Sequence, residues 1–108
     1  MLEPTPPWTM HDRFVVHTEY VDSVAVVHPN GDVDLATCDL LCHSLEVIDC
    51  DVVVDLTAVT FLDSSGIKVF VGQRRRLHDA GRELHLANPR PNVRNVFTLV
   101  GLGDWLDD

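Results

Sequence analysis

The stretch of sequence that decides the fold runs from Thr57 to Gly66 and reads Thr-Ala-Val-Thr-Phe-Leu-Asp-Ser-Ser-Gly. The apolar run before it, residues 52–56, is short and contains one aspartate, which is typical of a strand covered on both faces. After it, apolar side chains between Ile67 and Leu77 recur on one side of a helix, and Gly81 stands where such a helix would end. The pattern predicts a buried strand, a polar turn and a helix in succession.

The residues that precede this stretch predict a β-hairpin. Two short segments rich in β-branched residues, 14–21 and 24–27, are separated by Asp22 and Ser23, which suit a tight turn. The turn-forming triplet Pro-Asn-Gly at residues 29–31 follows the second segment. We therefore expect a hairpin whose second strand is closed by this triplet.

Further elements follow from the same periodicity. The apolar side chains of residues 38–48 fall at steps of three or four, and Asp34 can cap the helix that they predict. Residues 84–87 form a last predicted strand, and residues 93–100 carry a final helical stripe. Trp105 is expected to close the end of the core.

The order of these elements is β-β-α-β-α-β-α. Parallel strands joined by helical crossovers, with the first strand as an antiparallel partner, predict an α/β fold. We expect a mixed four-stranded sheet with about three to four helices. The folded domain is expected over residues 13–108, after a flexible N-terminal arm over residues 1–12 that carries three prolines and no periodic pattern.

The charge of the chain is acidic and unevenly distributed. The 108 residues contain 8 basic and 17 acidic side chains, for a formal net charge of −9. This balance argues against binding to nucleic acid or to an anionic membrane, because both need clustered cations. Four of the bases, Lys68 and Arg74–Arg76, fall within nine residues. That cluster fits either a solvated helix face or a polarised surface that steers a protein partner.

Several classes of protein find no support in the sequence. No apolar run approaches the length of a membrane span, and an odd number of cysteines favours a reducing compartment, so we expect a cytoplasmic protein. Cys38, Cys42 and His43 lack a fourth ligand nearby, so no metal is expected. Glycine-rich phosphate loops are also missing, so no cofactor is expected. Leu62 stands where the hydrolase motif Gly-x-Ser-x-Gly would need a glycine before Ser64, so an enzyme is not expected.

The deciding stretch belongs to a set of motifs that occur in a fixed order. Residues 31–37 precede the first helix, residues 53–57 lead into the stretch, and Asn-Pro at residues 88–89 precedes the last helix. In this order the motifs resemble those of bacterial anti-sigma factor antagonists, which are stand-alone STAS domains. The resemblance covers roughly residues 13–106, and its most specific part is Phe-Leu-Asp-Ser-Ser-Gly at residues 61–66.

The resemblance implies a partner-switching protein. In this family the antagonist binds an anti-sigma factor that is also a serine kinase, and the kinase phosphorylates the first serine after the motif's aspartate, here Ser64. Phosphorylation releases the antagonist, and a serine phosphatase restores it. Lys68 stands where the family commonly has a second glycine. Its bulk and charge on the first turn of the helix are expected to affect which partner binds. The partner-contact residues that the resemblance implies are Asp34, Thr37, Asp63, Ser65, Gly66 and Lys68.

The position of Ser64 also suits a switch on physical grounds. A serine at the start of a helix is open to a kinase, and the positive end of the helix dipole favours a phosphate by roughly 0.3–1 kcal/mol. The neighbouring Asp63 opposes that charge. Helix capping is the plainer interpretation of the motif, because Asp63, Ser64 and Ser65 are all good N-cap types.

Two functions of different kinds follow for such a domain. The first is an anti-sigma factor antagonist that regulates transcription in response to stress and acts as a monomer or weak homodimer. The alternative is a STAS domain that serves as a non-phosphorylated scaffold or as a subunit of a transport complex. The intact Asp-Ser-Ser sequence at residues 63–65 favours the first.

Overall fold

The computed structural model describes residues 14–107, so the arm predicted for residues 1–12 lies outside the described part of the chain. Within that part the chain forms six strands, three α-helices and one short 3₁₀ helix, Gly103–Trp105. The strands are β1 (Val15–Val21), β2 (Val24–Val33), β3 (Asp51–Asp55), β4 (Val59–Leu62), β5 (Leu84–Ala87) and β6 (Leu106–Asp107). The helices are α1 (Cys38–Glu46), α2 (Ser64–Asp79) and α3 (Pro91–Leu99).

The strands form one mixed sheet in the order β1-β2-β3-β5-β6. β1 and β2 pair antiparallel, with Val21 opposite Val24 at the hairpin. β2, β3, β5 and β6 pair parallel to one another along this order. β4 pairs parallel with the far end of β2, beyond the residues that β3 occupies. The predicted α/β class and mixed sheet are confirmed.

The sheet has two strands more than the four predicted. β4 has only four residues, two of them exposed, so no apolar alternation marked it within the polar turn. β6 has two residues and pairs with Leu86 and Ala87 of β5. A sequence pattern reveals strands of four to eight residues, so β4 stands at the lower limit and β6 is below it.

β2 also runs further than expected, through Pro29 to Val33. The reason lies in its neighbours. β3 pairs with residues 24–27 of β2 and β4 with residues 31–33, so Pro29 lies between the two parallel partners. A missing backbone N–H at that point removes no bond to a parallel neighbour, and the strand continues against Val16 of β1.

The sequence indicates the end of α2 but not the N-cap residue of α1. Thr37, rather than the predicted Asp34, is the N-cap residue of α1, and it makes no side-chain cap bond. The backbone N–H of Arg82 donates to the Leu77 carbonyl at 2.7 Å after α2, and Gly81 adopts φ +75° there. Gly81 therefore terminates α2 as predicted.

Arg76 is a structural residue, a role that neither interpretation of the basic cluster included. Its Nη2 donates to the carbonyl oxygens of Leu45 at 3.0 Å and Ile48 at 3.1 Å, and its Nε donates to Gln73 at 2.9 Å. The last carbonyls of a helix have no partner within it, so Arg76 of α2 satisfies the C-terminal end of α1. Arg74 and Arg75 remain exposed.

The core lies between the sheet and the helices and is contributed by every predicted stripe. Phe70 of α2 and Phe97 of α3 are fully buried, with ring centroids 6.1 Å apart. Trp105 packs partly buried against this core, as expected. The deciding stretch is held by this packing at both ends: Val59 and Leu62 of β4 are buried, and so is Ile67 of α2.

Candidate functional site

The candidate site lies where β4 ends and α2 begins. Val33 and Leu62, at the ends of two parallel strands, pair in the sheet. The backbone N–H of Asp63 then donates to the Val33 carbonyl at 3.2 Å. Two loops therefore meet at this edge: the one after β2, which contains Asp34 and Thr37, and the one that leads to Ser64.

Asp63 is the residue that caps α2. Its Oδ1 accepts from the backbone N–H of Ser65 at 2.8 Å and of Gly66 at 3.4 Å. Its backbone is extended, as an N-cap requires. Of the three cap candidates in the sequence, the aspartate takes this role, and neither serine is needed for it.

Ser64 is exposed on the first turn of α2. Within residues 14–107, its hydroxyl makes no hydrogen bond to another residue. Ser65 is half-buried beside it. The hydroxyl of Ser64 thus has no structural role and reaches solvent. Accessibility to an enzyme is the first requirement of a modification site.

Gly66 is buried, and its lack of a side chain serves the chain itself. A Cβ at this position would lie 2.6 Å from Cγ1 of Val33 and closer still to Cδ1 of Leu62. Real Cβ contacts are never that short, so a larger residue forces its neighbours to move. In this structure Val33 and Leu62 make the close approach to Gly66, so Gly66 has a packing role within the domain.

The loop after β2 is held by its own side chains. Asp34 Oδ1 accepts from the backbone N–H of Ala36 at 2.9 Å and of Thr37 at 3.2 Å. Thr37 Oγ1 accepts from the Asp34 backbone N–H at 3.0 Å and donates to the Asp32 carbonyl at 2.7 Å. Thr37 is only 5% exposed, and its hydroxyl group shapes the loop. Asp34 is half-buried and keeps an accessible edge.

Two exposed apolar side chains near this edge were missed by the sequence analysis. Leu35 is 79% exposed in the loop between Asp34 and α1, and Phe61 is 47% exposed on β4. Phe61 pairs with Asp32 in the sheet and points away from the buried Leu62. Neither residue belongs to a helical or alternating apolar pattern. An apolar residue outside any such pattern was the only sequence feature that could have indicated their exposure.

Lys68 is exposed and lies one helical turn after Ser64. Residues four apart on a helix are neighbours on its surface, about 5–6 Å apart at Cβ. A cation therefore stands next to the free hydroxyl of Ser64, on the same face of α2. The site combines an exposed hydroxyl, one nearby cation and the carboxylate of Asp63.

Other reactive groups lie away from this edge. Burial, together with the charge of Glu46, raises the pKa of the Cys42 thiol, which makes Cys42 a weaker nucleophile. Within residues 14–107, no three His, Cys, Asp or Glu side chains are grouped so as to hold a metal ion. Over the same residues, no helix combines the length and apolar character that crossing a membrane requires.

Comparison with known proteins identifies a family and several relatives. The family described as STAS domain matches residues 16–107. An anti-sigma F factor antagonist of Lysinibacillus sphaericus is 37% identical over 57 residues, which cover 53% of this chain and 49% of that protein. The chain thus spans about half the length of that relative. An anti-sigma-B factor antagonist of Listeria monocytogenes is 29% identical over 94 residues, which cover 83% of this chain and 79% of that protein.

The fold is also similar to a solved structure in two states. The unphosphorylated anti-sigma factor antagonist SpoIIAA is 27% identical, with a TM-score of 0.77 and coverage of 87% of each chain. The phosphorylated form of SpoIIAA, a cell fate determinant of Bacillus, is 26% identical, with a TM-score of 0.69 and coverage of 87% of this chain and 90% of that one.

Proposed function

The chain belongs to the STAS domain family, as its motifs predicted, and from that premise we propose that it is an anti-sigma factor antagonist switched off by phosphorylation of Ser64. In this proposal it binds an anti-sigma factor that is also a serine kinase, and a serine phosphatase reverses the modification. It acts in the cytoplasm as a binding regulator rather than as an enzyme. The observation that carries the proposal is the exposed Ser64 hydroxyl, which makes no hydrogen bond within residues 14–107.

A phosphate on Ser64 leaves the fold of the domain nearly unchanged. The N-terminus of α2 favours the new charge by roughly 0.3–1 kcal/mol. The carboxylate of Asp63 opposes it: two unit charges about 4 Å apart repel by about 1 kcal/mol in water and about 4 kcal/mol at an effective dielectric constant of 20. Asp63 already accepts from the Ser65 and Gly66 amides, so the phosphate does not find these donors free.

Lys68 offsets part of that repulsion. An ion pair between residues four apart on an exposed helix face contributes about 0.3–0.5 kcal/mol. The first turn of α2 therefore tolerates a phosphorylated Ser64, and the switch acts on the interface rather than on the domain.

The interface responds differently to the same charge. A phosphate brings about 1.5 to 2 negative charges, and burying an uncompensated charge at an interface costs several kcal/mol. Each 1.4 kcal/mol changes affinity about tenfold, so a loss of about 4 kcal/mol weakens binding roughly a thousandfold. Leu35, Phe61 and the accessible edge of Asp34 are proposed to form the contact surface around Ser64, because they are exposed at the same edge.

The test is a titration of the anti-sigma factor with two matched variants. Ser64→Ala keeps the site neutral and is expected to bind within about twofold of the wild-type chain, because the hydroxyl has no structural bond to lose. Ser64→Asp introduces a charge and is expected to bind at least tenfold more weakly, although a carboxylate carries less charge than a phosphate. Equal affinity of the two variants would remove the basis of the switch.

Incubation with the kinase and ATP separates this function from a non-phosphorylated scaffold. The mass of the intact protein is expected to rise by one phosphoryl group, which Ser64→Ala abolishes and Ser65→Ala leaves in place. No addition at all would favour the scaffold or transport role instead. Addition at Ser65 would contradict the assignment of the switch to Ser64.

A further inference from the structure

An open cleft of about 760 Å³ lies along the C-terminal half of α2, away from Ser64. It is bounded by α2, by the start of β5 and by the 3₁₀ helix at Gly103–Trp105. Its volume falls within the range of roughly 300–1,000 Å³ that binding sites commonly have. The lining combines three apolar side chains, Val71, Leu84 and Trp105, with three arginines, Arg74, Arg75 and Arg82.

The three arginines of the cleft have no carboxylate partner among the described side chains. Among the side chains of residues 14–106, each ion pair has a histidine as its basic member. Arg74, Arg75 and Arg82 therefore all lie beyond ion-pair distance of a carboxylate there. The chain has 17 acidic and 8 basic side chains, so most of its bases could find an acidic partner. Three unpaired arginines in one cleft are therefore unexpected.

Arg74 is held in place by Trp105. Its guanidinium carbon lies 4.1 Å from the centroid of the indole ring, which is a cation–π contact. Stacking uses the flat face of the guanidinium and leaves its N–H edge free to bind a carboxylate. The cleft thus holds one oriented donor group beside an aromatic ring that is already half-buried against the core.

The acids at the cleft do not neutralise its arginines. Glu83 lies 3.0 Å from Nε2 of His85, so it has another partner. Asp104 is the second carboxylate of the lining, and His78 adds a further ionisable ring. Three permanent cations therefore face two carboxylates, one of which is already paired.

We propose that this cleft is a docking site for an acidic peptide segment of a protein partner, with apolar side chains flanked by aspartates or glutamates. The apolar lining receives the apolar side chains and the arginines receive the carboxylates. The arrangement suits an extended chain better than a compact anion. Arg74 and Arg75 are consecutive on α2 and project about 100° apart, and Arg82 lies beyond the helix end, so their charges are spread along the cleft.

The site is separate from the Ser64 edge. Its lining begins at Val71, seven residues or about 10 Å along the helix axis from Ser64. A peptide docked here adds a second contact to a partner without covering the hydroxyl. The inference does not require the switch at Ser64, and its test contains no kinase.

The test follows the fluorescence of Trp105 in a Trp8→Phe background, which leaves one tryptophan in the chain. The probe is the acetylated and amidated heptapeptide Glu-Glu-Leu-Glu-Leu-Glu-Glu, with its Gln-for-Glu counterpart as control. We expect saturable binding of the acidic peptide, at least tenfold weaker binding of the control, and weaker binding in salt because the contacts are ionic.

Matched double variants locate the peptide. Arg75→Gln/Arg82→Gln is expected to weaken binding roughly fivefold, as the loss of two exposed ion pairs implies. Asn30→Asp/Asn95→Asp changes the net charge by the same two units at exposed positions outside the lining and is expected to change binding less than twofold. Equal losses in the two double variants would mean general electrostatic attraction and would overturn the proposal.

Two further readouts complete the test, the first on the unmodified chain and the second on the Trp8→Phe chain. On addition of the acidic peptide, the backbone amide NMR signals of residues 71–85 and 103–105 are expected to shift, while those of residues 34–37 and 63–66 stay in place. Tripolyphosphate is the competing probe. If it saturates the Trp105 signal and the peptide does not, the cleft is a small-anion site and the peptide proposal is wrong.

Discussion

Near each end of α2, some residues make structural contacts while a neighbour in the sequence stays exposed, and different residue types do this at the two ends. At the first turn, Asp63 and Gly66 carry the structural work, as cap and as packing residue, and Ser64 between them is left free. Near the last turns, Arg76 carries it by binding the carbonyls at the end of α1, and Arg75 beside it is left exposed. At each end, adjacent residues have different roles, one structural and one at the surface. The residues of a motif therefore have to be assigned one by one.

The largest expected effect tests the packing at the first turn. Gly66→Ala places a Cβ against Val33 and Leu62 and is expected to destabilise the domain by about 1–3 kcal/mol. Gly72→Ala is the control on the same helix, because apart from its chain neighbours and the nearby backbone of α2 no atom lies within 4 Å of its Cβ position. It is expected to stabilise by about 0.5–1 kcal/mol, since alanine favours a helix over glycine.

Urea unfolding of both glycine variants measures this difference. For a domain of this size, each kcal/mol also moves the melting temperature by about 4–8 °C, so thermal scans provide a second readout. If the two variants moved stability in the same direction by similar amounts, the close packing of Gly66 would have no energetic consequence.

The next effect tests the opposite end of α2. Arg76→Ala removes the side-chain donor to the Leu45 and Ile48 carbonyls and is expected to cost about 1–3 kcal/mol, because the Leu45 carbonyl keeps only backbone donors and the Ile48 carbonyl loses a charged one. Arg75→Ala lies next to it on the exposed side and is expected to stay within about 0.5 kcal/mol of the wild type. Denaturant unfolding of the pair gives the difference; comparable losses would contradict the division of roles at this end.

A smaller effect separates the two properties of Asp63. Asp63→Ala removes the cap and is expected to cost about 1 kcal/mol, whereas Asp63→Asn keeps a side-chain oxygen and is expected to cost only a few tenths. Asn also removes the charge that opposes a phosphate on Ser64. The phosphorylated Asp63→Asn domain is therefore expected to lose less stability on modification than the phosphorylated wild type does, and unfolding curves of the four species compare them directly.

Features of the fold and the site that depend on local sequence could be predicted, and features that depend on contacts between distant residues could not. The helices, strands β1, β2, β3 and β5 and the position of Ser64 depend on local periodicity and turn chemistry, so the sequence predicted them. β4 and β6 depend on pairing with distant residues: only the two end residues of β4 are buried, without alternation, and the two residues of β6 are too few to show a period. The roles of Gly66, Thr37 and Arg76 depend on contacts with Val33, Asp32 and the end of α1. These contacts exist only once the chain is folded.

The smallest effect concerns Lys68, where the chain departs from the glycine common in its family. Lys68→Gly removes a cation one turn from Ser64 and also weakens the helix, so Lys68→Gln is the informative change. It is expected to leave the unmodified domain within a few tenths of a kcal/mol of the wild type. In the phosphorylated domain it is expected to cost about 0.3–0.5 kcal/mol more, because an ion pair at this spacing is lost. The additional cost is expected to disappear at high salt, which screens exposed charges. A loss that is equal in both forms, or that persists in salt, would mean that Lys68 acts through helix propensity and not through the phosphate.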